Sequence, residues 1–314
     1  MKLVLIDGNA ILHRAYHALP PLTDKDGNPT QAIYGFITML LKIVENLKPT
    51  HLIVCFDRPE PTFRKTMYVG YQAHRPKMDD ELVSQIGRLQ DVVRAMKIPI
   101  YEVAGFEADD IIGSLAFQAT YLNIKYQKSN SKNTNKISNI FKEIIIVTGD
   151  RDILQLVNDT VYVYMPIQGL TNAKLYGEKE VEEKFGVKPP QVVDYKALAG
   201  DASDNYPGVR GIGPKTATEL LQTFGTVEKL YKAIKSKDQK IKGSKEKIIQ
   251  ALSEYAEDAV MAKKLATIVT DAPVTIDVAS AKMHELNTVE AQEALEALGF
   301  RSLVKRLNHE NTRT

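Results

Sequence analysis

Lys2-Leu3-Val4-Leu5-Ile6-Asp7-Gly8 opens the chain with an apolar run that ends in a carboxylate, and the same order of events recurs twice. Leu52-Ile53-Val54-Cys55-Phe56 runs into Asp57, and Ile144-Ile145-Ile146-Val147 runs through Thr148-Gly149 to Asp150 and Asp152. Short, continuous apolar runs rich in β-branched residues read as parallel strands buried on both faces. Acids just past them emerge at the carboxyl ends of neighbouring strands, where open α/β sheets place their active sites.

Working outward, the first half alternates strands and helices. Strands are expected at 2–7, 51–57, 98–103, 143–148 and 160–165, and helices near 30–47, 80–97, 107–121 and 151–158. This predicts an α/β class with a mostly parallel sheet and helices on both faces. After about residue 176 the β-rich runs stop, and amphipathic stretches at 178–185 and 191–199 announce a mainly helical second part. The expected division is 1–175 and 176–314, and no internal repeat is found.

Two further acidic clusters, Glu107/Asp109/Asp110 and Asp201/Asp204, bring the set to nine carboxylates in five clusters. Each has a plain structural reading: Glu107, Asp109 and Asp110, like Asp150 and Asp152, open helices where acids offset the macrodipole, and Asp7 before Gly8 suits a turn. Their recurrence at strand ends favours a shared site. Nine acids in one crevice could not all stay ionised near neutral pH without cations, because like charges raise one another's pKa. The ligand type is hard oxygen. The six histidines are read as offering no paired metal spacing, so zinc is disfavoured and Mg²⁺ or Mn²⁺ expected. Two ions suit in-line attack on a phosphodiester.

The bulk numbers agree. The chain has 314 residues, 44% hydrophobic and 25% charged, a globular composition. Its one cysteine, Cys55, lies in an apolar strand and is read as core. Neither a signal peptide nor an apolar run long enough for a membrane span is seen, so a cytoplasmic protein is expected. Net charge is only +2, but residues 210–250 carry ten Lys/Arg against four acids. A basic stripe beside an acidic pocket fits a surface that cuts phosphodiesters, although a solvated helix face explains such a run equally well by itself. Residues 58–79 combine Arg58, Phe63, Arg64, Lys65, Tyr68, Tyr71, His74, Arg75 and Lys77 and should stand over the pocket, offering cations to phosphates and rings to unpaired bases. Residues 123–139 are nearly all Lys, Asn, Ser and Thr and read as a flexible surface insertion.

Gly208-Val209-Arg210-Gly211-Ile212-Gly213-Pro214-Lys215-Thr216 is neither a Walker loop, since Pro214 separates Gly213 from Lys215, nor a dinucleotide fingerprint, since threonine stands where the third glycine belongs. It reads as a hairpin between helices, with Pro214 in the first helical position and helix amides free to hold a backbone phosphate.

With these residues in view, the chain resembles the 5′ nuclease (flap endonuclease) family, most closely the 5′-to-3′ exonuclease domain of bacterial DNA polymerase I. The resemblance rests on Leu5 to Gly8, Arg14 to Ala18, Asp57, Gly105 to Asp110, Thr148 to Asp152, and Gly200 to Gly208 continuing through Gly211 to Ala217, and it reaches Leu298 to Leu303. It implies a PIN-like catalytic core with a helical arch at 58–79, then a helix-three-turn-helix near 200–225 that grips duplex DNA, with a potassium ion at the hairpin. Asp7, Asp57, Glu107, Asp109 and Asp110 resemble the first metal group, and Asp150, Asp152, Asp201 and Asp204 the second. Arg14, Arg64, Gln72 and Arg75 take catalytic positions, and Tyr71, Lys77, Arg210, Gly211, Gly213, Lys215 and Thr216 DNA-binding ones. The implied activity is metal-dependent removal of 5′ flaps and 5′ ends, RNA primers included, from branched or nicked duplex DNA by a monomer, in DNA replication and repair, releasing 5′-phosphates.

One departure stands out: Gln72 follows Tyr71 where the family pattern usually has lysine. Loss of that cation implies slower chemistry with binding largely kept, unless Lys65 or Lys77 substitutes. Two other readings are weighed. A DNA-binding protein with a weakened nuclease site gains from Gln72 and loses to the full set of nine acids. A phosphatase of small esters leaves the basic stripe and glycine hairpin without purpose.

Overall fold

The structure is a computed structural model and describes residues 1–130, 140–169, 172–236, 238 and 246–310, with side chains at 123–130, 168, 309 and 310 left aside. The expected insertion at 123–139 therefore lies outside the described residues except for the backbone of one helix.

A six-stranded sheet forms the centre: β1 (Lys2–Asp7), β2 (His51–Cys55), β3 (Ile100–Tyr101), β4 (Glu143–Val147), β5 (Val161–Gln168) and β6 (Asn172–Tyr176), in the order β3-β2-β1-β4-β5-β6. Every pairing is parallel except β5 with β6. Strand order reverses beside β1, which opens a crevice at the carboxyl ends of β1 and β4. Asp7 sits at its mouth.

Period-two alternation within the apolar runs divides the core. Val4, Ile6, Leu52, Val54 and Ile145 face one layer, which holds α1 (Gly8–Ala18), α2 (Gln31–Leu47), α4 (Asp80–Ala95), α12 (Val289–Ala297) and α13 (Arg301–Glu310). Leu3, Leu5, Ile53, Cys55, Ile144 and Ile146 face α5 (Ala108–Asn130) on the other side. Cys55 is buried as expected.

A third apolar cluster belongs to the helical half: α6 (Glu178–Phe185), α7 (Val192–Ala199), α8 (Pro214–Phe224), α9 (Val227–Ser236), α10 (Glu246–Glu254) and α11 (Ala256–Ala266). Leu198 and Leu230 are fully buried in it.

Several sequence expectations change. The stretch after Asp7 is α1 and not a turn. Asp7 caps it, its Oδ1 accepting from the Ala10 amide at 2.9 Å. Gly8 is required there by packing: a Cβ would stand 2.5 Å from the Phe56 ring. The strand expected at 98–103 keeps only two residues, and the helix expected at 151–158 is a 3-10 turn, Asp152–Leu156. The arch is helical only in α3 (Phe63–Met67). Pro59, Pro61, Gly70 and Pro76 limit any longer helix, and residues 68–75 fold into turns against the acids. No helix among the described residues is long and apolar enough to cross a membrane.

Candidate active site

Asp7 is nearly buried, and its second oxygen accepts from the Thr148 hydroxyl at 2.7 Å. That hydroxyl also receives the Asp150 amide at 3.0 Å, so Thr148 ties the end of β1 to the end of β4. Burial and, after it, the Asp57 charge push the Asp7 carboxyl up to about 7. Asp57, one residue beyond Phe56, accepts the Ala108 amide of α5 at 2.6 Å, while its own amide donates to Asn9. Desolvation and Asp110 raise Asp57; the Ala108 amide and Arg75 pull the other way.

α5 supplies the next group. Glu107 accepts from Thr62, Arg64 and Tyr71, each at 3.2 Å, and desolvation lifts it to about 7 against the pull of Arg64. Asp109 has an oxygen that is buried and, among the described residues, has no hydrogen-bond partner. Burial raises Asp109 strongly, with Asp150 and Asp7 adding repulsion. An orphaned carboxylate oxygen amid other acids is costly in isolation and is what a cation would satisfy.

Asp110 behaves differently. It is 0% exposed, and Arg64 grips both of its oxygens at 2.7 and 2.8 Å, with the Val269 amide at 2.9 Å. The Arg64 guanidinium also donates to the Leu265 and Thr267 carbonyls. The expected metal ligand Asp110 and the expected catalytic Arg64 are thus an internal ion pair that fastens α3 to α5 and to the end of α11, because a buried carboxylate takes the nearest planar donor. Arg14, also expected in catalysis, donates to the Gly169 carbonyl at 2.9 Å, beside the β5–β6 turn.

The second acidic group comes from the segment after β4 and the loop after α7. Oxygens of Asp152, Asp201 and Asp204 all lie within 4.8 Å of one another, a spacing that suits a cation. Lys196 of α7 contacts both Asp152 and Asp201, so its ammonium stands in for such a cation. Burial alone would raise Asp201, but Lys196 and the Ser203 donors hold it below its ordinary value. Asp150 accepts the Asp152 amide at 2.8 Å, and burial raises it against Lys196 and Arg75. Lys196 was not singled out in the sequence, yet its place in Val192–Ala199, a helix whose Val192, Val193, Ala197 and Leu198 are buried, was the available signal.

Residues 68–75 close over this group. Tyr71 is buried and reaches Glu107, Gln72 donates its side-chain amide to Asp204 at 3.2 Å, and Arg75 donates to the same oxygen at 2.7 Å. Lys77 is exposed and paired with Asp80. His13 and His17, one turn apart on α1 with ring centroids 6.2 Å apart, do have a paired spacing that the sequence reading missed, because α1 itself was not expected.

The loop from α7 to α8 is compact. Asp201 and Tyr206 exchange both backbone hydrogen bonds, and Gly208 lies so close to Gly200 that a Cβ would meet its amide nitrogen at 2.3 Å. Gly211 takes φ 85°, and Pro214 opens α8 behind the Gly213 cap. Arg210, Gly211, Gly213 and Lys215 are exposed there, Thr216 half-buried. Lys237, Lys240, Lys242 and Lys245 of the basic stripe lie outside the described residues.

Residues 2–186 match the N-terminal resolvase-like domain of 5′-3′ exonucleases, and residues 187–289 their C-terminal SAM fold. A 5′-3′ exonuclease of Aquifex aeolicus is 33% identical over 98% of this chain and 95% of its own length. DNA polymerase I of Caldicellulosiruptor bescii is 41% identical over 98% of this chain and 33% of its own length, so the chain spans about a third of that relative. Among solved structures, the T5 5′-exonuclease with bound divalent metal ions (zinc) superposes with a TM-score of 0.62 at 19% identity, covering 99% and 98% of the two chains. The fold and both domain matches agree: the chain belongs to the 5′-3′ exonuclease family.

Proposed function

We propose that the chain hydrolyses phosphodiester bonds at 5′ ends and 5′ flaps of branched or nicked duplex DNA, RNA primers included, and serves primer removal and repair in the cytoplasm as a monomer. The observation that carries this is the orphaned Asp109 oxygen in a crevice of carboxylates drawn from five segments, an arrangement that calls for cations. Mg²⁺ or Mn²⁺, two ions in all, would activate water on one side of the phosphorus and stabilise the leaving oxygen on the other. Asp7, Asp57, Glu107 and Asp109 would hold the first, and Asp150, Asp152, Asp201 and Asp204 the second. Asp110 serves by orienting Arg64 and the start of α5.

The chain's other groups then have roles that follow from their positions. Arg75 and Tyr71 stand between the two groups of acids, where a scissile phosphate must lie, and Arg75 is the cation available to it. Gln72 brings an uncharged donor to the same place, which supports slower chemistry than a lysine would give. The exposed amides at the start of α8, with Arg210, Lys215 and Thr216, would grip the duplex backbone away from the cut without reading sequence, and a potassium ion held at that hairpin would add positive charge.

The test is a 5′-labelled flap on nicked duplex, incubated with Mg²⁺ or EDTA beside Asp150→Ala. Metal-dependent cuts at the flap junction, absent in the variant, are expected. Tight flap binding without cutting would leave a DNA-binding protein, and equal cleavage of a free nucleotide would leave a phosphatase.

A further inference from the structure

Residues 68–75 and the loop 201–206 hold one another by a reciprocal clasp. From the first segment, the Gln72 backbone amide donates to the Asp204 carbonyl at 2.8 Å, and its side-chain amide to the Asp204 carboxylate at 3.2 Å. From the second, the Asn205 side-chain amide donates to the Gly70 carbonyl at 2.7 Å. Both amide-bearing residues adopt left-handed backbone, φ 54° at Gln72 and φ 56° at Asn205. Asparagine tolerates that region, whereas glutamine is strained there, and such strain persists only where surrounding contacts enforce it. Behind the clasp, Tyr71 and Tyr206 are buried together against Ala262, Leu265 and Ala266 of α11.

The clasp closes on a carboxylate with a second use. The Asp204 oxygen that takes Gln72 and Arg75 belongs to the residue grouped with Asp152 and Asp201 at cation spacing. An oxygen already accepting two donors is a poorer ligand, and a ligand drawn to a cation is a poorer acceptor. The coupling must be reciprocal.

We propose that the segment 68–75 and a divalent cation compete for Asp204, with Gln72 and Asn205 as positioning residues that set the balance, so that a cation at the second acidic group releases Arg75 toward the substrate strand. This rests on the metal-dependent nuclease reading above. Beyond Tyr71 the segment is exposed at Ala73, His74 and Arg75, so the Asp204 contacts are what tie that half to the loop 201–206. The Gln72 side-chain amide reaches Asp204 without bringing a charge of its own.

The experiment uses the full chain and Mn²⁺ alone. Gln72→Gly and Asn205→Gly both suit their left-handed backbone, so each removes one side-chain bond without adding strain, and thermal melts confirm that they fold. Mn²⁺ binding by calorimetry and hydrogen exchange of the 68–75 peptide in EDTA and in Mn²⁺ are then compared. Expected results are faster exchange of the wild-type segment when Mn²⁺ is added, exchange in Gln72→Gly already fast in EDTA, and Mn²⁺ binding to Gln72→Gly tightened roughly ten-fold at its weaker site, the scale of one lost hydrogen bond to a charged group. Unchanged or weakened Mn²⁺ affinity in Gln72→Gly overturns the clasp whatever the exchange shows. Absence of Mn²⁺ binding by the wild-type chain overturns both the clasp and the nuclease reading.

Discussion

Arg64 and Asp110 give the sharpest test of how the first acidic group is held. The Arg64 side chain is 3% exposed and makes five close contacts: two to Asp110, one to Glu107, and one each to the Leu265 and Thr267 carbonyls. Arg64→Met keeps the bulk and removes all five donors. Asp110 then retains only backbone amides, from Val269 at 2.9 Å and Glu107 at 3.2 Å, for a carboxylate with no access to water. Breaking a buried pair from one side costs about 3–5 kcal/mol, because the remaining charge is left uncompensated. The two freed carbonyls add to that. Arg64→Met should therefore lower the melting temperature in EDTA by roughly 10 °C for a domain of this size. Arg64→Met/Asp110→Leu removes both charges and should recover much of the loss, with a coupling of about 2–3 kcal/mol in the cycle. Urea unfolding followed by far-UV circular dichroism gives the four corners. A single variant within about 1 kcal/mol of wild type, or a strictly additive double variant, would refute the assignment of this pair as the internal anchor.

Stability without metal should fall as pH rises. Asp7 and Glu107 are both lifted to about 7 in the fold from ordinary values of 3.8 and 4.5, so the folded chain keeps protons that the unfolded chain has lost. Their contribution is fully present below about pH 4 and disappears as pH climbs through about 7, on the order of several kcal/mol in all. Melts in EDTA should thus be higher at pH 5 than at pH 8, with Mg²⁺ restoring the difference at pH 8; a flat EDTA profile would contradict the crowding of these acids. At the hairpin, Gly208→Ala forces a Cβ onto the Gly200 amide and the Leu198 carbonyl at 2.3 and 2.4 Å and should destabilise by about 3 kcal/mol or more, whereas Gly213→Ala meets nothing within 4 Å at an ordinary φ of −92° and should be near neutral. Equal melting of the two variants would show that the loop can relax around Gly208.

The strands that carry the site were legible because a parallel strand buried on both faces needs an unbroken apolar run, and Leu3 to Ile6, Leu52 to Phe56 and Ile144 to Val147 have no other good use. Elements whose stability comes from packing were less legible. α1 begins with Gly8 and Asn9, poor helix residues by themselves, and exists because Asp7 caps it and Phe56 leaves room only for glycine. β6, written Asn172 to Tyr176, is an exposed edge strand whose partner β5 defines it. His13 and His17 could not be paired before α1 was known.

Residue type and spacing were enough to place the three central strands, the acids at their carboxyl ends and the helical character of the second half, since they decide burial and charge locally. How those acids divide their work is settled by tertiary contacts. Asp110 is taken by Arg64, Asp204 by Gln72 and Arg75, and Asp152 and Asp201 by Lys196, while Asp109 keeps an oxygen with no partner among the described residues. Those assignments depend on which cation or amide arrives within hydrogen-bond reach, and contacts between residues 44 to 132 positions apart, as all of these are except Lys196 with Asp201, leave no trace in local spacing.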